Sequence, residues 1–190
     1  MGVRPQGYVT LTKQAIAKAY PDLNIEIIGA GISGHKVPDC QKRLDRDVLQ
    51  KKPTIVLIYI GINDVWHSLN GRGTSKELCE AGLNDMISQI NDAGARVILC
   101  TPTVIGEKMD GTNRLDKMLD EYSAISRKVA LETGSPLLDL RQEFIPYLKE
   151  HNTDNAPKGI LTADTCHLNE KGNRYVSDLV LDALNVPSAD

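Results

Sequence analysis

The sequence predicts an α/β protein, a three-layer α/β/α sandwich around a parallel sheet, on three observations. The run Thr54-Ile55-Val56-Leu57-Ile58-Tyr59-Ile60 is apolar at consecutive positions, as in a strand covered on both faces of a parallel sheet. Two further short apolar runs, Val97-Ile98-Leu99 and Leu137-Leu138-Asp139-Leu140, follow it. Amphipathic helical patterns separate these runs, and strands joined through helices lie parallel with helices on both sides.

Taken in order, Tyr8, Leu11, Ala15 and Ala19 fall on one side of a helix that ends near Pro21. Asn24 to Ile28 then reads as a short strand leading into a turn at Gly29-Ala30-Gly31-Ile32-Ser33-Gly34. A charged helix is expected from about Pro38 to Lys51. After the strand opened by Pro53, Leu83, Met86, Ile87 and Ile90 mark a helix that stops at Gly94. The Val97 strand ends in Thr101-Pro102-Thr103, and Leu115, Met118, Leu119, Tyr122, Ile125 and Val129 share one face of a long helix. Gly134 supplies its stop. A short helix from Gln142 to Glu150, a polar loop from His151 to Leu161 and a last helix from about Asn169 complete a single domain over residues 1–190. The last helix buries Tyr175, Val176, Leu179, Val180 and Leu184.

Composition narrows the function. A 190-residue chain with 41% apolar residues can bury one continuous core. Net charge is −3 with the signs mixed, so no basic stripe addresses nucleic acid. The apolar runs are strand-sized, which excludes a membrane-spanning helix, and the first residues lack the apolar segment of a signal peptide. Cys40, Cys79, Cys100 and Cys166 are widely spaced, so four reduced thiols in a cytoplasmic protein are expected. No ligand cluster suggests a metal, and no cofactor is expected.

Chemistry concentrates where strands end, since ligands of open parallel sheets bind beyond the carboxyl ends of the strands. Three segments meet that description: the Gly31 turn, Gly61-Ile62-Asn63-Asp64, and Asp164-Thr165-Cys166-His167 ahead of the last helix. Alone, Asp164 could cap a turn amide and Asn63 a helix. Read functionally, Asp164 orients the His167 Nδ1–H and leaves Nε2 as general base. Asn63 then aims an amide N–H at a developing oxyanion. Loss of one such donor costs about 2.7–4 kcal/mol in a known protease.

In this order and strand context, Gly-Ile-Ser-Gly at 31–34, Gly-Ile-Asn-Asp at 61–64 and Asp-x-x-His at 164–167 resemble the SGNH (GDSL) hydrolases. The likeness is to their bacterial acetylesterase and acetylxylan-esterase-like branch, and it extends from Gly7 through the last helix. It implies a flavodoxin-like hydrolase fold and serine-esterase hydrolysis of small acyl esters such as acetylated carbohydrates. It further implies that Gly31 and Asn63 form the oxyanion hole, that Asp164 and His167 are the acid and base, and that Trp66 stands near the acyl pocket. Trp66 could equally pack beneath the rim.

The resemblance also implies a nucleophile in a Gly-Asp-Ser block after a first strand in the middle of the sheet. Neither that block nor that strand occurs in this sequence. Three outcomes are open: neighbouring strands close up, another copy supplies a strand, or the natural protein extends upstream of Met1. An incomplete sheet favours self-association.

Ser33 and Cys166 are the substitutes nearest the site. Ser33 lacks the strand–elbow–helix setting of a nucleophile and reads as a turn residue, and Cys166 as a small buried hydrophobe. His35 and His67 read as solvent-facing loop residues. A folded but inactive chain that binds small esters or carbohydrate is the competing function. A dinucleotide site at Gly29–Gly34 fits the G-x-G-x-x-G spacing, but no acidic residue closes a second strand about twenty residues later, as ribose recognition needs.

Overall fold

Three parallel strands, β1 (Ile55–Tyr59), β2 (Arg96–Cys100) and β3 (Leu137–Leu138), form a sheet in the order β1-β2-β3 in a computed structural model that describes residues 6–187. Ile55 pairs with Arg96 through to Tyr59 with Cys100, and Leu99 and Cys100 pair with Leu137 and Leu138. Successive side chains of a strand point to opposite faces, and β2 shows the result. Val97 and Leu99 enter one hydrophobic layer, Ile98 and Cys100 the other.

The first layer is built by α2 (Val37–Gln41), α3 (Leu44–Asp47), α5 (Lys76–Asp92) and α6 (Asp116–Thr133), which bring Val37, Leu83, Ile87, Ile90, Leu119 and Val129 against the sheet. α7 (Leu140–His151) and α8 (Glu170–Ala183) form the second, around Phe144, Leu148, Val176 and Val180. The short helix α4 (Ile62–Trp66) follows β1 directly. Together these make the α/β/α sandwich that the sequence predicts.

Local chemistry sets most boundaries. Ser75 Oγ accepts the Leu78 N–H at the start of α5, and Asn169 Oδ1 accepts the Gly172 N–H at the start of α8, each satisfying a donor that a helix start leaves free. Gly94 and Gly134, at φ +82° and +66°, stop the chain behind α5 and α6. Asp139 ends β3 and caps α7 through the Gln142 N–H. Its carboxylate is also clamped by Arg127 at 2.6 and 3.1 Å.

The helix α1 (Tyr8–Ala19) is held chiefly by the last helix. The Tyr8 N–H donates to Asn173 Oδ1 at 2.9 Å, and the hydroxyls of Thr12 and Ser177 bond each other at 3.1 Å.

Four expectations need correction. Residues 24–28 are not a strand: they run without a ladder, leaving Ile25 and Ile28 45% and 49% exposed. An extended segment becomes a strand only beside a hydrogen-bonding neighbour, and among the described residues this one has none. For the same reason β1 is not buried throughout. Among the described residues it pairs with β2 alone, and Ile55 is 37% exposed.

The charged helix of 38–51 is three pieces, α2, α3 and a 3₁₀ turn at Leu49–Lys51. Arg43 leaves helical geometry between the first two, where its guanidinium donates to the Ala30 carbonyl at 2.6 Å and to His35 Nδ1 at 3.2 Å. Finally, Leu140 belongs to α7 rather than to the third strand, because the Asp139 cap turns the chain there.

The approach of α2 to α5 gives a test. A Cβ at Gly82 would lie 2.5 Å from Val37 Cγ1 and 2.7 Å from Gln41 Oε1. Gly82→Ala is therefore expected to destabilise the fold by about 1–3 kcal/mol through overpacking. Urea unfolding should show a lower midpoint at constant slope; an unchanged midpoint would mean that α2 lifts off α5 freely.

Candidate active site

The turn out of β1 forms the floor of the site. Gly61 adopts φ +115°, a conformation open to glycine, and turns the chain straight into α4. Asp64 faces inward, fully buried, and accepts the Val37 N–H at 3.1 and 3.3 Å. Burial pushes its carboxyl above the usual range, against hydrogen bonds that lower it. One residue earlier, Asn63 Nδ2 donates to the His35 carbonyl at 3.0 Å. The two contacts tie residues 35–37 to α4 and fix the plane of the Asn63 carboxamide, whose second N–H is left to serve a ligand.

The second wall is the loop before α8. Thr162 and Leu168 form an antiparallel bridge, and the Ala163 N–H donates to the His167 carbonyl at 2.8 Å. Within this turn Asp164 Oδ1 accepts the His167 and Cys166 N–H groups at 2.8 and 3.2 Å, while Oδ2 meets His167 Nδ1 at 2.8 Å. Opposite a carboxylate, Nδ1 carries the hydrogen and Nε2 keeps its lone pair. Desolvation raises the Asp164 carboxyl, but the His167 and Cys166 donors outweigh it and hold the group below its ordinary value.

Both walls meet. The rings of Trp66 and His167 stand edge to face with centroids 5.9 Å apart, close enough for direct contact. A cleft of about 330 Å³ opens between them, lined by Ser33, Asn63, Trp66, His67, Arg72 and His167 among others. An imidazole base held by a carboxylate thus shares one cleft with an amide donor, the parts needed to deprotonate a nucleophile and to receive an oxyanion.

Of the residues singled out in the sequence, Asn63, Trp66, Asp164 and His167 come together here. Gly31 does not line the cleft: it lies in the exposed stretch before it, with open space where a Cβ would point. Ser33 lines the cleft but has no hydrogen bond to His167 among the described residues. Cys166 is buried, and burial pushes its thiol up to about 12, far from a thiolate nucleophile. The four cysteines are free.

His35 and His67 correct the sequence reading. Neither is fully exposed: His35 is gripped by Arg43 and Asn63, and His67 lines the cleft. Sequence reasoning also missed Glu107, a fully buried acid behind the loop of His167. Its signal is weak, a lone glutamate in Val104-Ile105-Gly106-Glu107. Among the described residues no group of three or more His, Cys, Asp or Glu is arranged to hold a metal ion, and no helix is long and apolar enough to cross a membrane.

The sequence profile of the GDSL-like Lipase/Acylhydrolase family matches residues 2–175. The chain belongs to this family. By membership it is a carboxylic ester hydrolase, and its relatives agree. The crystal structure of the acetyl xylan esterase AlAXEase superposes with a TM-score of 0.93 at 40% identity, covering 96% of this chain and 92% of that one. An acetylxylan esterase of Geobacillus stearothermophilus is 32% identical over 154 residues, 78% of this chain and 69% of its own length. A Bacillus subtilis lipoprotein, YqeF, is 27% identical over 178 residues, 84% of this chain and 73% of its own.

The acid–base pair gives a pH test. A carboxyl whose folded value is depressed adds stability that is present above its unfolded value and lost as pH falls through the folded one. The Asp164 turn should therefore keep its hydrogen bonds at pH 4 and lose them only below the ordinary value of 3.8. The Asp164 side-chain carbon shift, followed by NMR, should titrate below 3.8; a midpoint at or above it would contradict this geometry.

Proposed function

We propose that this chain hydrolyses small acyl esters, acetylated carbohydrates foremost, by a serine-esterase mechanism. The observation that carries the reading is the Asp164–His167 pair in contact with Trp66 and facing Asn63 across one cleft. Two features of the relatives support it. They include acetylxylan esterases, and the catalytic mutants of the Geobacillus enzyme replace a serine, a histidine and an aspartate. In that enzyme the aspartate stands three residues before the histidine, the spacing of Asp164 and His167.

In this reading His167 Nε2 takes the proton of a serine hydroxyl as its oxygen attacks the acetyl carbonyl carbon. The free Asn63 N–H, in the cleft with His167, receives the oxyanion. Collapse breaks the bond to the sugar oxygen, which leaves with the proton from His167. Water then repeats the sequence on the acyl-serine, releasing acetate. Asp164 holds the imidazole in the productive tautomer throughout. On this reading a separate segment presents the serine to His167 Nε2.

A second reading is favoured by one specific observation: no Gly-Asp-Ser sequence occurs in the 190 residues. On this reading the chain alone binds acetyl esters or carbohydrate without turning them over.

Hydrolysis of p-nitrophenyl acetate tests both, with the 190-residue protein alone and mixed with a synthetic apolar strand peptide ending in Gly-Asp-Ser. Turnover is expected only in the mixture, lost in His167→Ala and lowered about 10²–10³-fold in Asn63→Ala. Turnover indifferent to His167→Ala would sink the esterase assignment. Robust turnover by the protein alone that Asn63→Ala and Ser33→Ala abolish would remove the binding-only reading and move the nucleophile to Ser33.

A further inference from the structure

We propose that Glu107 is the positioning residue of the Asp164–His167 pair, acting through the backbone of the loop that carries it. The inference rests on His167 being the base of the site. Glu107 lies in the connection after β2, is not among the residues lining the cleft, and is completely buried. Its Oε2 accepts the Ile160 N–H at 2.8 Å, and its Oε1 accepts the N–H groups of Leu161 and Thr162 at 2.7 and 2.5 Å. Three consecutive amides thus converge on one side chain, and among the described residues no cation pairs with it. A carboxylate in such a place is sustained only by donors of this kind.

The grip reaches the site in two steps. Thr162, the last of the three donors, forms the bridge with Leu168, and the next residue donates from its N–H to the His167 carbonyl. On the other side of Asp164, the Gly106 N–H donates to the Thr165 carbonyl at 2.7 Å. Thr165 adopts φ +84°, an unfavourable region for a β-branched residue that needs outside support. Residues 106 and 107 therefore hold the turn from both flanks.

Glu107 is itself braced: its carbonyl accepts from Asn152 Nδ2 at 2.7 Å, and its N–H donates to the Pro157 carbonyl at 3.0 Å. Gly106, at φ +91°, has no room for a Cβ beside the Asn113 carboxamide. A side chain that merely filled space here would need no such convergence of main-chain donors. The array fixes backbone direction, and the backbone it fixes sets where the imidazole points.

Glu107→Gln keeps the shape but turns an N–H toward amides that need an acceptor. The readouts are the ¹⁵N-resolved tautomer of His167 and the NOE between its ring and the Trp66 indole, neither of which needs a nucleophile or substrate. The parent protein should show the Nδ1–H tautomer and a strong NOE. In Glu107→Gln the tautomer should shift toward Nε2–H and the NOE weaken several-fold, with the amide shifts of β1 and β2 unchanged. Asn152→Ala, which loosens the brace and leaves the carboxylate, should move both signals the same way by less.

A folded Glu107→Gln protein with parental tautomer and NOE overturns the inference and leaves the esterase reading standing. Absence of the Nδ1–H tautomer in the parent removes the reading itself and this inference with it. Failure of both variants to fold would show that Glu107 supports the whole domain rather than this turn, which also overturns it.

Discussion

Among the described residues strand β1 has one hydrogen-bonded neighbour, and much of the molecule is arranged around that fact. Its inner edge is satisfied by β2 over five residue pairs, while the outer edge meets no ladder among the described residues. Backbone amides and carbonyls left in this way need water or another chain. The consequences run outward along the sequence. The extended stretch at 24–28 stays unpaired and keeps Ile25 and Ile28 about half exposed, and Gly31, three residues beyond it, does not line the cleft. The wall built by α4 and the α8 loop is held instead by side-chain contacts to remote main chain.

That wall rests on two buried acids used in the same way. Asp64 accepts from the main chain of α2, and Glu107 from the main chain of the loop before α8. Each lies beyond the carboxyl end of a strand and reaches across to a segment remote in sequence. Loops have little regular hydrogen bonding of their own, so their position is set by whatever fixed group accepts their amides. A carboxylate with two oxygens can hold several amides at once, which an apolar contact of the same size cannot. The cleft accordingly combines a rigid frame with exposed chemistry: Asp164 and His167 are about half exposed, yet their backbone is anchored in the interior.

The sequence makes some of this legible and hides the rest for identifiable reasons. Helices with long apolar stripes and glycine stops, such as those around Leu83 and Leu119, are plain because periodicity and capping are local properties. Strand β2 is equally plain, since four of its five residues, Val97 to Cys100, are buried on both faces and the apolar run says so. Asn24–Ile28 misleads because strand character depends on a neighbour, and no property of five residues reports whether one is present. The stretch 38–51 misleads because Arg43 bends away toward Ala30 and His35, a long-range attraction with no periodic signature. At the site, Asp164 and His167 are close in sequence and Asn63 follows a strong strand, so they can be found. Glu107 touches the same loop from more than fifty residues away and looks like any other acid until its donors are seen.

The pairing of α1 with α8 bears on how the polypeptide reaches this state. Tyr8 and Asn173, which join the two helices, are separated by 165 positions. During synthesis from the amino end, α1 emerges well before its polar partners on α8. The layer containing α2, α5 and α6 can assemble on β1 and β2 in the meantime, since its members are contiguous from about residue 37 to 133. The opposite layer closes only when residues near 177 leave the ribosome. Helix α1 is thus among the last elements of its layer to dock, and the nascent chain must keep its apolar stripe from other partners until then.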